Sequence, residues 1–329
     1  MSGASMRGTK AFAVLAGIGL VLAVFLAAAP RVYAELFMLC GQLHCDVNPP
    51  PADPKAFRAR PGTAAGTVVD GYWRVEKIAP DTWAIGEPQD DPDNYEYLLV
   101  GQDRALLIDA GSTTTHDIHR AISPITTLPV TVIPSHLHFD HTNGLKFFRS
   151  IALIDLPETR GRARSGVVHL GRYQYLGWSP TSFRVTQWIE PGQWIDLGGR
   201  KVQVLSTPGH TTNSVSIWEP EARRLFTGDL VYPTSLYAFL PDSSLSTYVA
   251  TLDRLSATLP SDTRIYGAHC CRNDAPPEAP WLSMADLRDA RSAMQNVRDG
   301  KAAGRGFIIR RFPVNARMTM LTLFPFGNR

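Results

Sequence analysis

Metal-binding side chains are concentrated in one short stretch of this 329-residue chain and recur at three later points. Histidine imidazoles and carboxylates are common ligands of catalytic zinc and related ions. The stretch and its later partners supply five histidines and two aspartates: His136, His138, Asp140, His141, His210, Asp229 and His269. Seven such groups can hold two cations side by side, an arrangement that activates water for hydrolysis. The pattern therefore predicts a two-metal hydrolytic site.

The residues before this stretch predict how its first two histidines are positioned. Residues 130–134 form a β-branched apolar run, typical of a buried strand that ends just before Ser135. Alternate side chains of an extended backbone share a face, so His136 and His138 can converge on one cation. Phe139 is expected to point the other way, into apolar packing.

The residues after it predict a change of direction. Residues 142–148 have the composition of a short helix, and Asp140 and His141 lie at its start. A turn at this point reverses the direction of their side chains. The two residues are therefore predicted to hold a second cation a few ångströms from the first.

The string His-x-His-x-Asp-His, followed by Thr-Pro-Gly-His, Thr-Gly-Asp and Tyr-Gly-Ala-His, resembles the metallo-β-lactamase-fold hydrolase superfamily over roughly residues 73–269. The resemblance to its binuclear members implies two Zn²⁺ per chain, with Mn or Fe also suited to nitrogen and oxygen ligands. It implies a first metal on His136, His138 and His210, a second on Asp140, His141 and His269, and Asp229 as the bridge between them.

Asp229 also distinguishes subclasses within that superfamily. Penicillin-directed members generally lack this bridging acid, whereas thioesterases, glyoxalase II-like enzymes, lactonases and phosphodiesterases keep it. The implied mechanism is attack by a hydroxide that bridges the metals, with Asp140 orienting the nucleophile and moving its proton. Tyr232 and Tyr237 are candidates for lining the substrate pocket, and core packing is the alternative for both.

A narrower resemblance comes from residues 189–198 and 225–232, together with Phe239 to Asp242 and Tyr248. These segments are similar to the acyl-CoA thioesterase-type members related to metallo-β-lactamase domain-containing protein 2, which implies hydrolysis of a thioester or related ester. A lactone, phosphodiester or β-lactam hydrolase is the alternative. A non-enzymatic metal-binding module is a third hypothesis, and the complete set of seven ligands disfavours it.

Composition predicts a globular protein, and the resemblance implies that its catalytic domain occupies residues 67–329, where short strand patterns follow the proline-rich stretch. The chain is 44% hydrophobic and 19% charged, which suits one α/β domain with short appendages. A net charge of +3 with no long basic run argues against nucleic acid and leaves a small-molecule substrate as the expected partner. The basic residues 160–164 are interpreted as solvated surface, with an anion-binding patch for a CoA-like substrate as the alternative. Oligomeric state is left open.

The N-terminus predicts export or membrane attachment. Residues 11–29 are nineteen consecutive uncharged residues preceded by Arg7 and Lys10, so residues 1–34 are expected to be a signal anchor or a signal peptide. Residues 35–66 are proline-rich and predict a semi-rigid linker. Either reading places the catalytic domain outside the cytoplasm, in a periplasmic or other extracytoplasmic location, and the anchor makes the membrane a partner.

Short alternating runs predict two sets of strands, which surround the candidate ligands. The predicted elements are strands at 72–75, 82–85, 95–100, 105–108, 201–205, 214–218 and 224–226, and helices at 245–259 and 280–300. Residues 307–311 and 318–324 predict closing strands, with a dimer contact as the alternative. Together they predict a four-layer αββα sandwich, an α/β (α+β) fold of the metallo-β-lactamase type, with the metals at one edge between the sheets.

Several residues near the expected site receive a supporting or ordinary role. Asp109 ends a predicted strand and is expected to support the metal shell by hydrogen bonding without binding metal. Cys40 and Cys45 can pair, whereas Cys270 and Cys271 are interpreted as buried thiols, with a vicinal disulfide or an accessory ligand as alternatives. The remaining histidines are interpreted as surface or core residues: His44, His116, His119 and His169.

Overall fold

The structure, a computed structural model, describes residues 66–87, 93–170, 182–240, 242–270, 279, 281–306 and 309–323. The predicted N-terminal anchor or signal peptide at 1–34 lies outside these residues, as do residues 35–65 of the linker and Cys40, Cys45 and Cys271. No helix in the described ranges is long and apolar enough to cross a membrane. The N-terminal assignment and the extracytoplasmic location therefore stay predictions.

Strands dominate the described part of the chain. They are β1 Thr67–Val69, β2 Trp73–Ala79, β3 Thr82–Glu87, β4 Asp93–Val100, β5 Ala105–Ile108, β6 Val130–Ile133, β7 Ala152–Ile154, β8 Ala163–Arg164, β9 Val167–His169, β10 Ser182–Arg184, β11 Gln187–Ile189, β12 Trp194–Asp196, β13 Lys201–Ser206, β14 Val215–Glu219, β15 Arg224–Gly228, β16 Thr234–Tyr237, β17 Arg264–Gly267, β18 His269–Cys270, β19 Trp281–Ser283, β20 Ile309–Pro313 and β21 Met318–Leu323. The helices are α1 His119–Ile122, α2 Phe139–Thr142, α3 Pro157–Arg162, α4 Leu245–Thr258 and α5 Met284–Arg298, with a 3-10 helix at Asn143–Phe147.

Two large sheets organise these strands. The first runs in the order β1-β2-β3-β4-β5-β6, with β18 added against β4, and the second runs β12-β13-β14-β15-β17-β19. The first five strands pair antiparallel, β6 joins β5 in parallel, and β15 and β17 are also parallel. Because β18 belongs to the first sheet although it follows β17 of the second, it joins the two sheets at the edge where His269 lies.

Apolar side chains bury both faces of both sheets. Between the sheets, Tyr97 and Leu106 of the first pack with Val204 and Phe226 of the second. The outer face of the first sheet is covered by side chains around α1 and the 3-10 helix, and the outer face of the second by α4 and α5. Helix, sheet, sheet and helix thus form four layers, which confirms the predicted αββα sandwich.

Two predicted helices differ from those in the structure. The helix expected at 280–300 begins at Met284, because Trp281–Ser283 pairs with β17 and Ser283 caps the helix through a reciprocal pair of hydrogen bonds with Asp286. The helix expected at 142–148 begins earlier, at Phe139, and continues as the 3-10 helix. Phe139 is only half-buried and lies outside the apolar clusters of the described residues; Leu137 fills the core instead.

The C-terminal strands extend the molecule beyond its two main sheets. β20 and β21 pair antiparallel, and β21 pairs in parallel with β16, which follows Asp229 closely in the chain. The prediction of closing strands at the C-terminus is therefore confirmed. These strands also fix β16, whose last residue contacts the candidate site.

Candidate metal centre

All seven predicted ligands meet at one edge of the sandwich, where strands of both sheets end. The two sheets contribute through the residues that follow β6, β13, β15 and β17. Gly228, at the end of β15, has a left-handed backbone (φ +51°), and a Cβ there would collide with the hydroxyl of Ser135. Glycine therefore allows the segment that carries Asp229 to lie directly against the segment that carries His136.

Three histidines form the first group. His136 Nε2 lies 2.8 Å from His138 Nδ1, and His210 Nε2 lies 3.1 Å from the same atom. All three imidazoles are buried. Their ring nitrogens thus face a common centre, as three ligands of one cation would.

Two aspartates and two histidines form the second group. Asp140 Oδ2 lies 3.5 Å from His141 Nε2 and 3.3 Å from His269 Nε2. Asp229 Oδ1 lies 3.5 Å from His141 Nε2 and 3.3 Å from His269 Nε2. Each imidazole therefore faces both carboxylates.

Asp229 faces both groups with different oxygens. While its Oδ1 belongs to the second group, its Oδ2 lies 3.5 Å from His210 Nε2 of the first. The carboxylate is buried between the two sets of imidazoles, with 5% of its side chain exposed. This is the geometry expected of a carboxylate that bridges two cations.

The spacing of these atoms fits metal ligands. Zinc binds nitrogen at about 2.0–2.1 Å, so two nitrogens of one tetrahedral site lie roughly 3.3 Å apart, and the distances above run from 2.8 to 3.5 Å. His141 Nε2 and Asp229 Oδ1 are buried and have no hydrogen-bond partner in the described parts of the chain. Buried polar atoms are costly without a partner, and a cation would supply one. The two groups are therefore able to bind metal.

The opposite ring nitrogens are held by nearby oxygens. His136 Nδ1 lies 3.1 Å from the Ser135 hydroxyl, and His210 Nδ1 lies 3.0 Å from the main-chain carbonyl of Tyr237. His141 Nδ1 lies 3.0 Å from Asp109 Oδ2, whose other oxygen accepts from the Ser135 backbone N–H. Contacts of this kind fix the tautomer and orientation of ligand imidazoles. The predicted hydrogen bonding by Asp109 is confirmed.

Burial keeps the first group neutral in the metal-free protein. Burial, together with the adjacent His210, lowers the pKa of His138 to about 3. Burial likewise lowers the pKa of His136 well below its ordinary value and lowers the pKa of His210. All three rings therefore offer unprotonated nitrogens at neutral pH, as metal ligation requires.

Carboxylates reverse that effect in the second group. Burial alone would lower the pKa of His269, but Asp229 and Asp140 raise it to about 10. The pKa of His141 is also raised well above its ordinary value, against burial, by Asp140 and Asp109. In the other direction, His141 and His269 outweigh burial and lower the pKa of Asp140 to about 2. Without metal, protons on these two imidazoles balance the carboxylates.

The two tyrosines predicted to line the pocket contact different ligands of the candidate centre. Tyr232 is fully buried, donates its hydroxyl to the Ser235 carbonyl, and meets the ring of His269 edge-on at 5.3 Å. Tyr237 is half-buried and contacts His210 through its main-chain carbonyl. Their role in substrate binding stays a prediction.

Other candidates lie away from both groups. His116 stacks on Tyr72 and His119 pairs with Asp117, while His169 is exposed on β9; His44 lies outside the described residues.

Cys270 is disulfide-bonded, so its interpretation as a free buried thiol is wrong.

The basic stretch at 160–164 makes internal contacts. Arg160 bonds Asp155 at 2.6 Å and lies 3.9 Å above the ring of Trp188, and Arg162 bonds Glu158 at 3.0 Å. These contacts favour the interpretation as surface over an anion-binding patch.

Two asparagines behind the site were missed by the sequence analysis, and Tyr248 was named there only within the narrower resemblance, without a role at the site. Asn94 and Asn213 are buried amides, and the phenol of buried Tyr248 donates to the carbonyl oxygens of Asp229 and Leu230 at 2.9 and 2.7 Å. The only sequence signal was a polar residue within or beside an apolar run, which is too common to identify a site.

A comparison with protein families agrees with this geometry. The family model of the metallo-beta-lactamase superfamily matches residues 95–269, more than half of the chain. This chain belongs to the metallo-β-lactamase superfamily. The matched segment of this superfamily member begins in β4 and ends at His269, so it contains both candidate metal groups.

Curated relatives include two kinds of hydrolase. An acyl-coenzyme A thioesterase MBLAC2 of Gallus gallus is 31% identical over 180 residues, 48% of this chain and 65% of that protein. The protein of the same name from Homo sapiens is 34% identical over 141 residues, 39% of this chain and 50% of that protein. A hydroxyacylglutathione hydrolase of Brucella suis is 27% identical over 180 residues, 54% and 62% of the two chains. This chain thus spans between 50% and 65% of the length of these relatives.

Solved structures agree on the fold. A metallo-β-lactamase from Pontibacter korlensis superposes with a TM-score of 0.53 at 19% identity, and the alignment covers 68% of this chain and 99% of that one. One from Erythrobacter litoralis gives 0.52 at 15% identity, covering 70% and 99%. At these identities the likeness concerns the fold alone.

Proposed function

We propose that this superfamily member is a binuclear zinc hydrolase that cleaves a thioester or a related ester. The observation that carries the proposal is the placement of Asp229, whose two oxygens face two separate sets of imidazoles. A carboxylate in this position suits a pair of cations better than a single one. Imidazole with carboxylate is a donor set that suits zinc, and manganese and iron are the alternatives.

The proposed ligands divide as the distances do. His136, His138 and His210 would hold one cation, and Asp140, His141 and His269 the other, with Asp229 shared. When bound, the two cations would supply Lewis acidity and make a water molecule acidic enough to attack as hydroxide near neutral pH. No serine or cysteine nucleophile is then required.

The chain's own residues orient the reactants and move the proton. Asp140 has the most exposed side chain of the seven, at 20%, so its carboxylate can reach the attacking water. Its carboxylate is therefore placed to accept the proton that the attacking water releases. It can then return that proton to the leaving group. Asp109, by fixing His141, keeps the imidazole that faces Asp140 in place.

Two observations support a thioester or ester as the substrate. Asp229 stands where penicillin-directed members generally lack a bridging acid, which counts against a β-lactam. The relatives reported above are named for removing acyl groups from coenzyme A and from hydroxyacylglutathione. Both names describe an acyl group carried on a thiol.

A substrate panel on the zinc-loaded full-length chain tests the proposal. The compounds are an acyl-CoA, S-lactoylglutathione, a homoserine lactone, nitrocefin and bis-p-nitrophenyl phosphate, with Asp140→Asn as the matched control for contaminating activity. We expect kcat/KM for a thioester to exceed that for nitrocefin and to fall in the variant. Nitrocefin or the phosphodiester as the best substrate would contradict the proposed substrate class.

A further inference from the structure

Two buried asparagines lie behind the candidate centre, one behind each group of ligands. Asn94 on β4 is fully buried, and Asn213, just before β14, is 2% exposed. We propose that Asn94 positions the ligands of the second group and that Asn213 positions those of the first. This proposal rests on the two-metal centre proposed above. Each would set the affinity of its own metal position and leave the other unchanged.

Asn94 holds the main chain of Asp140. Its Nδ2 donates to the Asp140 carbonyl at 2.7 Å and to Glu87 Oε2 at 3.0 Å, with Glu96 Oε1 at 3.2 Å. Three surrounding oxygens require a donor at this point, so an amide nitrogen fits and a carboxylate does not. The Asp140 side chain is thereby fixed from the backbone.

Asn94 is also the strand partner of His269. The two residues are opposite each other in the antiparallel pairing of β18 with β4. A strand of only two residues has little pairing of its own to hold it. The position of His269 therefore depends on the backbone around Asn94.

Glu87 connects the same amide to the loop behind His141. Its carboxylate accepts from the backbone N–H of Ser112 at 2.7 Å and from the Tyr72 hydroxyl at 2.9 Å. This loop follows Asp109, which holds the imidazole of His141. Through Asn94 and Glu87, three second-group ligands rest on one buried hydrogen-bonded network.

Asn213 makes the corresponding contacts for the first group. Its Oδ1 accepts from the backbone N–H of Leu137 at 3.1 Å, between His136 and His138, and from the Thr211 hydroxyl at 3.4 Å, next to His210. Its Nδ2 donates to Glu158 at 3.1 Å. One amide thus ties together the two segments that carry all three first-group histidines.

The two networks share no residue in these contacts, which makes the proposal testable. Contacts of this kind typically change metal affinity by about 10–100-fold when removed. Removing one amide should therefore weaken one position by that factor and leave the other within about twofold. A general loosening of the fold would weaken both positions together.

The experiment measures zinc affinity at each position separately, without substrate. In the full-length protein, His138→Ala leaves the second group intact, and His269→Ala leaves the first group intact. Asn94→Ala and Asn213→Ala are then introduced separately into each of these two variants. Chelator competition gives the dissociation constant. We expect Asn94→Ala to weaken only the second group and Asn213→Ala only the first, by 10–100-fold.

Further variants separate positioning from stability. Asn315 is a control, since its Nδ2 donates to Asp286 and Asp289 of α5 at 3.0 Å, and neither carboxylate belongs to either group of ligands. Asn315→Ala should lower the thermal midpoint and leave zinc affinity unchanged. Asn94→Asp should weaken the second group more than Asn94→Ala, because it replaces a donor with an acceptor. Asn94→Ser, which keeps a short donor, is measured if the alanine variant does not fold and should lose less affinity than the Asp variant.

Equal weakening of both groups, or no weakening, would overturn the proposal even if thioesters are hydrolysed. The predicted crossed pattern would support it even if the wild-type protein hydrolyses none of the panel. The positioning proposal and the proposed function can therefore fail independently.

Discussion

The two halves of the candidate centre differ in their side chains and in their charge. The first group is three imidazoles that burial keeps neutral, supported by a hydroxyl and a main-chain carbonyl. The second has two ionised carboxylates and two imidazoles whose pKa values are raised, supported by the carboxylate of Asp109. A cation entering the first group finds free lone pairs, whereas one entering the second must displace protons. Only Asp229 takes part in both.

Removing Asp229 should have the largest effect, because its carboxylate belongs to both groups of ligands. Asp229→Ala removes an oxygen from each group and leaves buried imidazoles without their counter-charge. We expect both metal positions to weaken and kcat/KM to fall by about a thousandfold or more, roughly 4 kcal/mol of transition-state stabilisation. Metal analysis and steady-state kinetics measure the two effects. A variant that loses only one metal would show that Asp229 is not shared.

Asp140 should affect the rate more than binding. Asp140→Asn keeps the shape of the side chain but removes the carboxylate that accepts the proton in the proposed mechanism. We expect kcat to fall by about 10²–10⁴-fold while KM changes by less than about threefold. Steady-state kinetics on zinc-loaded protein, with metal content measured in parallel, provide the check. Unchanged turnover would remove Asp140 from the proton transfer.

The pH dependence of zinc affinity should separate the two groups. In metal-free protein at pH 7, His269 carries a proton because its pKa is about 10. Raising the pH removes that proton, so zinc no longer has to displace it. Between pH 7 and 10, the zinc affinity of the second group should therefore rise by up to about tenfold per pH unit for each proton displaced. The first group, with the pKa of His138 at about 3, has no proton to lose and should show no such rise. Chelator competition in the His138→Ala and His269→Ala backgrounds measures both slopes, and equal slopes would contradict the difference in charge.

Smaller effects are expected from the oxygens behind the rings. Asp109→Asn replaces a charged partner of His141, whereas Ser135→Ala removes a neutral partner of His136. Charge-assisted hydrogen bonds are the stronger kind, so Asp109→Asn should weaken the second group by about 10–100-fold and Ser135→Ala should weaken the first by less. The same affinity measurements apply. The reverse order would show that charge is not what supports the second group.

Much of the fold was predictable because it depends on local patterns. Strands at 95–100 and 105–108 have apolar residues on both faces, and the structure buries both faces of their sheet. The strand at 201–205 alternates instead and buries Val202 and Val204 between the sheets. The start of α5 was misplaced because Trp281–Ser283 pair with β17 and form a strand, although the helical pattern of the following residues could be extended back over them. Phe139 was misplaced because α2 begins at this residue, so the alternation of an extended strand does not continue to it.

The candidate ligands were predictable because their order and spacing are unusual, but their supports were not. Asn94 lies 46 positions before Asp140 in sequence and contacts it only in the folded chain. Tyr248 reaches the backbone of Asp229 across 19 positions. A buried amide or phenol has no local signature that separates it from ordinary strand and helix residues.

The most direct test of the two-group centre is the zinc content of the full-length chain and of two variants, measured by mass spectrometry after dialysis against buffered zinc. The account predicts two zinc ions per wild-type chain, and one in His138→Ala, held by the second group. It also predicts one in His269→Ala, held by the first. A wild-type chain with fewer than two zinc ions, or variants that retain both, would contradict it.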